Sequence, residues 1–170
     1  MSSFNALRLN LKVAQKQILT PSLVQMVSML VLNKLDALPP EIEWHFIGHL
    51  QTNKIRKVVG RFALFHGVDN QNLALQINRI AGELGVTANV LLEVNVSGEE
   101  SKFGFDPKLL PAALEVLLPL PFLRIQGLMT MAPYSDDPET ARPYFAKLRE
   151  WRDRLKIETG NPLPALSLGM

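Results

Sequence analysis

Hydrophobic residues recur along this chain in two distinct rhythms. Across residues 18–32, ILTPSLVQMVSMLVL, they point in nearly every direction of a helical wheel, and Gln25 and Ser28 are among the few interruptions. Thr20 followed by Pro21 fits an N-cap and a first helical position, so the pattern predicts a helix over residues 21–35. A helix that is apolar all round has to be covered by something. Fifteen residues broken by Thr20, Pro21 and Ser22 fall short of the roughly 20 that a membrane span needs. No small-residue cleavage site follows the late Lys12 and Lys16, which argues against a signal peptide.

Beyond Pro39 and Pro40 the rhythm changes to short alternating segments. Residues 42–48 read as a strand, 53–61 as a short basic helix and 62–68 as a second strand. Asp69 is placed to cap a helix whose Leu73, Ile77, Ile80, Ala81 and Leu84 share one face, and Gly85 ends it. In residues 88–97, ANVLLEVNVS, the residues Val90, Leu92, Val94 and Val96 line one face of a strand, with Glu93 and Asn95 on the other. A helix is predicted after Asp106-Pro107 and a strand, LRIQGLMTMA, after Pro121. Asp137-Pro138 opens a helix carrying Phe145, Leu148, Trp151 and Leu155, and the chain finishes on the apolar run PALSLGM.

Five strands separated by four helices predict an α/β architecture with parallel pairing through right-handed crossovers. Periodicity alone leaves an open doubly wound sheet and a closed barrel both available. A complete barrel takes about 250 residues, and 170 residues at this spacing cannot supply eight strands. In either arrangement ligands belong at the C-terminal ends of the strands. The residues there include Gly48 to Lys54 and Gly67 to Asn70, then Asn95 to Lys102, Met129 to Ser135 and Ser167 to Met170. This set is rich in amides, hydroxyls and glycines, with Lys54 and Lys102 as cations, a chemistry suited to a phosphate or another anion.

Composition narrows the choice. There is no cysteine, which excludes disulfides and thiolate metal sites and suggests a reducing cytoplasm. His45, His49 and His66 do not form a metal-ligand spacing, because Gly48 and the strand pattern break the helical face that His45 and His49 would need. No Walker loop, G-x-G-x-x-G or nucleophile elbow occurs, and Glu99-Glu100 reads as a solvated charge cluster. The net charge of +2 is uneven: residues 1–36 carry Arg8, Lys12, Lys16 and Lys34 against Asp36 alone, a net of +3, while the remainder carries −1. The basic residues of this first segment are too sparse to support nucleic-acid binding.

The stretches EWHFIGHLQTNKIRKV, LEVNVSGEESKFGF, LRIQGLMTMAP and LSLGM, in this order and spacing, resemble the pyridoxal-phosphate homeostasis protein family over residues 41–170. The resemblance implies a single-domain barrel, like the N-terminal domain of alanine racemase, that binds pyridoxal 5′-phosphate without turning a substrate over. It implies that the five strands correspond to strands three to seven of an incomplete (β/α) TIM-type barrel. It places His45, Gly48 and Asn53 beside the cofactor. Asn95, Ser97, Ser101, Lys102 and Gly104 match the fifth-strand motif and its loop. Met129 matches the position facing the ring, and Ser167, Gly169 and Met170 match the start of the phosphate-holding segment.

The family lysine that holds the cofactor as a Schiff base, in a Val-Ser-Lys-Thr type context, has no counterpart here, nor has the second-strand Phe-Gly-Glu-Asn-Tyr motif. The eighth-strand phosphate contacts are likewise unmatched, so cofactor binding is expected to be impaired. Lys54 and Lys102 are expected to be surface charges rather than substitutes.

Residues 7–36 are similar to the first region of the sigma fifty-four class of bacterial RNA polymerase sigma factors. The expected organisation is therefore a helical sigma-like leader at 1–38 and a partial barrel at 39–170. The first functional expectation is a non-catalytic cofactor-binding protein, and the alternative is a transcription-machinery module contacting RNA polymerase through residues 7–36. A partial barrel has open edges, so marginal stability and self-association through them are also expected.

Overall fold

The computed structural model describes residues 43–99 and 102–169. The expected helix at 21–35 and the sigma-like leader lie outside the described residues, as do Ser101 and Met170. The chain divides into two units, Met1–Pro39 and Pro40–Met170, and the described residues all belong to the second.

Five strands form one parallel sheet in the order β1-β2-β3-β4-β5. They are β1 (His45–Phe46), β2 (Leu64–Val68), β3 (Ala88–Glu93), β4 (Leu123–Met131) and β5 (Ala165–Gly169). A 3-10 turn at Thr52–Lys54 and helix α1 (Ile55–Val58) join the first pair, α2 (Gln71–Leu84) the second and α3 (Leu110–Leu117) the third. A 3-10 turn at Pro138–Ala141 running into α4 (Arg142–Thr159) joins the last pair. Each strand lies beside its predecessor, and right-handed crossovers then keep the helices on one face. A doubly wound sheet would reverse its order at a switch point. This one does not, so the described residues form part of a β/α barrel, an open half-barrel with about five parallel strands.

Register explains the core. Phe65, Val90 and Ile125 form one cross-strand row, and Val68, Leu92, Leu128 and Leu166 form another. All but Leu166 are buried. The same burial extends to Leu73, Ile77 and Ile80 of α2, Leu110, Leu114 and Leu117 of α3, and Leu148 and Leu155 of α4. The opposite face carries Glu93, Met129 and Ser167 in a row, because alternate residues of a strand face opposite ways. Gly127 sits at a register shift in β4. A Cβ there would lie 2.7 Å from the carbonyl carbon of Ala165, so the approach of β5 to β4 requires glycine.

Several local expectations are corrected. Strand β1 is ordered as a ladder over two residues only, and the basic helix expected at 53–61 resolves into the 3-10 turn and the single turn of α1. The cap of α2 is Asn70, whose side chain accepts from the Leu73 N–H at 2.8 Å, while Asp69 is occupied elsewhere. Strand β3 stops at Glu93, four residues early, because the returning chain takes over: Phe105 N–H donates to the Glu93 carbonyl at 2.8 Å and Asn95 N–H to the Phe105 carbonyl at 3.0 Å. Helix α3 starts at Leu110, because Asp106 first closes a turn by accepting from the Lys108 N–H at 2.8 Å.

Leu148 is fully buried between α4 and the sheet. Leu148→Ala is expected to cost about 2–5 kcal/mol, read as a lowered urea midpoint without a change of slope.

Candidate functional site

All strands point their C-terminal ends one way, and the polar residues gather there in three groups. The first spans the sheet on the face away from the helices. His45 on β1 and His66 on β2 stand with Nδ1 and Nε2 3.1 Å apart, and His66 Nδ1 lies 2.8 Å from the Ser167 hydroxyl on β5. The sequence separations are 21 and 101 residues. Only the parallel winding brings these three together. Burial, and next the charge of His45, hold the His66 imidazole below its ordinary value.

The second group lies just past β1, β2 and β3. Asp69, 5% exposed, is one of two buried polar residues among those described. One of its carboxylate oxygens accepts from His49 Nδ1 at 3.0 Å and the other from the Asn70 amide at 2.6 Å. The His49 ring stacks on Phe103 with centroids 5.0 Å apart. Glu93 is half-buried, and burial, followed by the nearby Asp69 charge, pushes its carboxyl above the usual range, with His49 working in the opposite direction. Gly67 allows this crowding, since a Cβ on it would sit 2.7 Å from the Gly48 carbonyl oxygen.

The third group is the loop after β3. Asn95 accepts from the Ser97 hydroxyl at 2.9 Å and the Gly98 N–H at 3.0 Å. It donates to the carbonyls of Glu99 at 2.8 Å and Lys102 at 3.4 Å. Both Asn95 and Ser97 therefore shape the loop with the groups that would otherwise face a ligand. Lys102 Nζ reaches the Met131 carbonyl at 3.4 Å and a Glu99 carboxylate oxygen at 3.7 Å.

Two of the cavities that open among these groups are lined by side chains of the second and third groups and their neighbours. One of about 320 Å³ is lined by Glu93, Asn95, Lys102, Phe103, Met131 and Tyr134. Another of about 390 Å³ is lined by His49, Gln51, Thr52, Asn53, Asn70 and Asn72. Both fall within the range typical of small-molecule sites.

The residues singled out from the sequence are distributed over these features. His45 and Ser167 meet through His66, and Met129 stands beside Ser167 in register. Gly169 pairs with Met131, and a Cβ on it would meet the Met131 sulfur at 2.6 Å. Gly48 packs against Gly67, Asn53 lines the larger cavity, Asn95 the smaller, and Ser97 stays within its loop. His66, Asp69 and Glu93 were not expected as site residues. The signal for His66 and Glu93 was available in the strands LFHGV and ANVLLE, where His66 in one and Asn89 and Glu93 in the other interrupt apolar segments, and Asp69 directly follows the first.

A parallel sheet wound in sequence order, with polar side chains at its C-terminal strand ends, defines a β/α-barrel fold, the class in which ligands bind at that end of the strands. The model of the family described as alanine racemase, N-terminal domain, matches residues 31–170, ten residues earlier than the motifs alone indicated. The pyridoxal phosphate homeostasis protein of Aquifex aeolicus is 48% identical over 140 residues, 82% of this chain and 61% of that protein. The structure of PipY of Synechococcus elongatus without pyridoxal phosphate is matched with a TM-score of 0.76 and 36% identity, over 86% of this chain and 68% of that one. The structure of PipY with pyridoxal phosphate bound is matched with a TM-score of 0.72 and 35% identity, over 84% of this chain and 66% of that one. The chain belongs to the alanine racemase N-terminal domain family, is similar within it to pyridoxal phosphate homeostasis proteins, and spans about 61% of the length of the Aquifex relative.

The lowered His66 value fixes a sign. The unfolded chain binds the proton more readily, so the contribution of His66 is present above its ordinary pKa of 6.5 and is lost as pH falls below that toward the folded value. Glu93 works the other way, since its raised carboxyl contributes below 4.5 and loses that contribution as pH rises through its folded value. Comparing wild type with His66→Gln isolates the first effect. The stability advantage of the wild type is expected to shrink between about pH 7.5 and about pH 5.5, measured by urea titration at each pH.

Proposed function

We propose that the half-barrel binds pyridoxal 5′-phosphate weakly at the C-terminal ends of its strands, as a non-catalytic homeostasis protein. The observation that carries this reading is the smaller cavity, where the faces of Phe103, Met131 and Tyr134 suit a planar ring and Glu93 and Lys102 suit its polar substituents. The donor set fits the group: it combines hydrogen-bonding side chains, a cation and flat apolar walls at about 320 Å³. His45, Gly48, Asn53, Met129, Ser167, Gly169 and Met170 are the chain's proposed contacts, with Asn95 and Ser97 shaping the loop beside them.

When bound, pyridoxal phosphate supplies an aldehyde that condenses with amines. This chain's part is to position and shelter it. Phe103 and Met131 offer apolar surface on one side, and Lys102 offers a cation. Asn95, fully engaged in its loop, keeps Lys102 near the cavity by bonding its carbonyl. Weak binding follows from the sequence containing no Val-Ser-Lys-Thr segment. We also propose that the outer edges of β1 and β5, each paired on one side only among the described residues, are where copies of the chain self-associate. The test is absorbance titration with pyridoxal 5′-phosphate, then borohydride reduction and peptide mass spectrometry. A saturable, weak absorbance change without a lysine adduct is expected, and no saturable change would overturn the reading.

A second reading concerns residues 7–36 as a segment contacting RNA polymerase. It rests on the resemblance of that segment alone, and the family match starting at residue 31 takes in its last residues, 31–36. Pull-down of core polymerase by the full chain is expected under this reading, with loss on deleting residues 1–30. Equal recovery from both chains would retire it.

A further inference from the structure

We propose that Ser167 is an activated nucleophile, with His66 as its general base and His45 as a positioning residue behind that base, and that this face of the sheet hydrolyses small activated carboxylic esters. The proposal shares His45 and Ser167 with the proposed cofactor contacts, adds His66, and uses side chains on β1, β2 and β5.

The geometry supplies each part. A nucleophile and its base belong within about 2.6–3.2 Å of each other, with a third group orienting the base. Ser167 Oγ and His66 Nδ1 are 2.8 Å apart, and His66 Nε2 and His45 Nδ1 are 3.1 Å apart. With the serine hydroxyl donating to His66 Nδ1, the Nε2–H of His66 donates to His45 Nδ1. Partial burial keeps the imidazole neutral at neutral pH, so it is available as an acceptor.

Access and charge stabilisation follow from the strand. Ala165 and Gly169 flank Ser167 on the same face, so the hydroxyl stands between two small residues. The Gly169 carbonyl accepts from the Ala132 N–H at 2.7 Å on the side facing β4. By alternation the N–H of Leu168 faces the outer edge, where β5 has no neighbour among the described residues. An N–H beside the nucleophile is the donor that a developing oxyanion needs.

The chemistry balances. Ser167 Oγ bonds to the ester carbonyl carbon while its proton passes to His66 Nδ1. The carbon–oxygen bond to the alcohol breaks, and the alcohol leaves with that proton. Water then attacks the acylated serine, giving its proton to His66. The carboxylic acid departs as the serine oxygen recovers the proton.

The full chain is treated with a fluorophosphonate, which forms an oxygen–phosphorus bond to a reactive serine and loses fluoride, and the adduct is located by peptide mass spectrometry. Label on Ser167 of the wild type is expected. Wild-type protein unlabelled at Ser167 overturns the proposal without reference to any variant. Hydrolysis of p-nitrophenyl acetate is followed in parallel. Ser167→Ala is expected to fall to the buffer rate, and His66→Ala to lose on the order of 100-fold in kcat/KM. Ser167→Ala at the wild-type rate overturns the proposal as well. His45→Ala is expected to move the midpoint of the pH–rate profile upward, because His45 is one cause holding His66 low. An unmoved midpoint removes His45 from the arrangement.

Discussion

The parallel, sequence-ordered pairing of five strands is the constraint on which the rest depends. It sends every C-terminal strand end to one side of the sheet, and with them the His49–Asp69 pair, Glu93 and the Asn95 loop. It also divides each strand by face. Rows such as Val68, Leu92, Leu128 and Leu166 present branched apolar side chains to the helices, while Glu93, Met129 and Ser167 share the other face. Apolar burial at about 25 cal/mol per Å² drives the first face together. The second is then left to hold the polar chemistry, at positions dictated by register.

Glycine decides how closely those strands approach. Gly127 admits the Ala165 backbone against β4, and Gly67 admits the Gly48 carbonyl against β2. At either position the obstacle to a side chain is backbone, which cannot rotate away. The two approaches set where Ser167 and Glu93 stand, so the site geometry rests on residues that carry no functional group.

The helix–strand order was legible from periodicity. The apolar face of α2, with Leu73, Ile77, Ile80 and Ala81, is buried as the spacing required, and Gly85 closes the helix in a left-handed conformation at φ 68°. What periodicity missed was competition between local hydrogen bonds. Asp69 and Asn70 are both good caps, and Asn70 takes the role because Asp69 is committed to His49 across the sheet. The early end of β3 has the same origin, since Phe105, a dozen residues onward, substitutes for a strand partner. The family motifs fall at the C-terminal end of the sheet, but they could not reveal contacts such as His66 with Ser167, which depend on strands that are not sequence neighbours.

The polar face also changes the expectation for an open half-barrel. A closed TIM-type barrel fills its interior with layers of bulky branched residues, and losing the opposite wall would expose them. Here that face carries, beside the buried Leu91 and Met129, Asn89 and Gln126, bonded to each other at 3.1 Å, with the Asn89 amide also reaching the Ala63 carbonyl at 3.1 Å. The His45–His66–Ser167 chain lies on it as well. Such groups lose little on meeting water, because water replaces any bond that breaks. The desolvation cost of an unpaired buried polar group is also avoided, since no buried side-chain nitrogen or oxygen among the described residues lacks a partner. The helix-side core can therefore be dry and close-packed while the opposite face tolerates solvent.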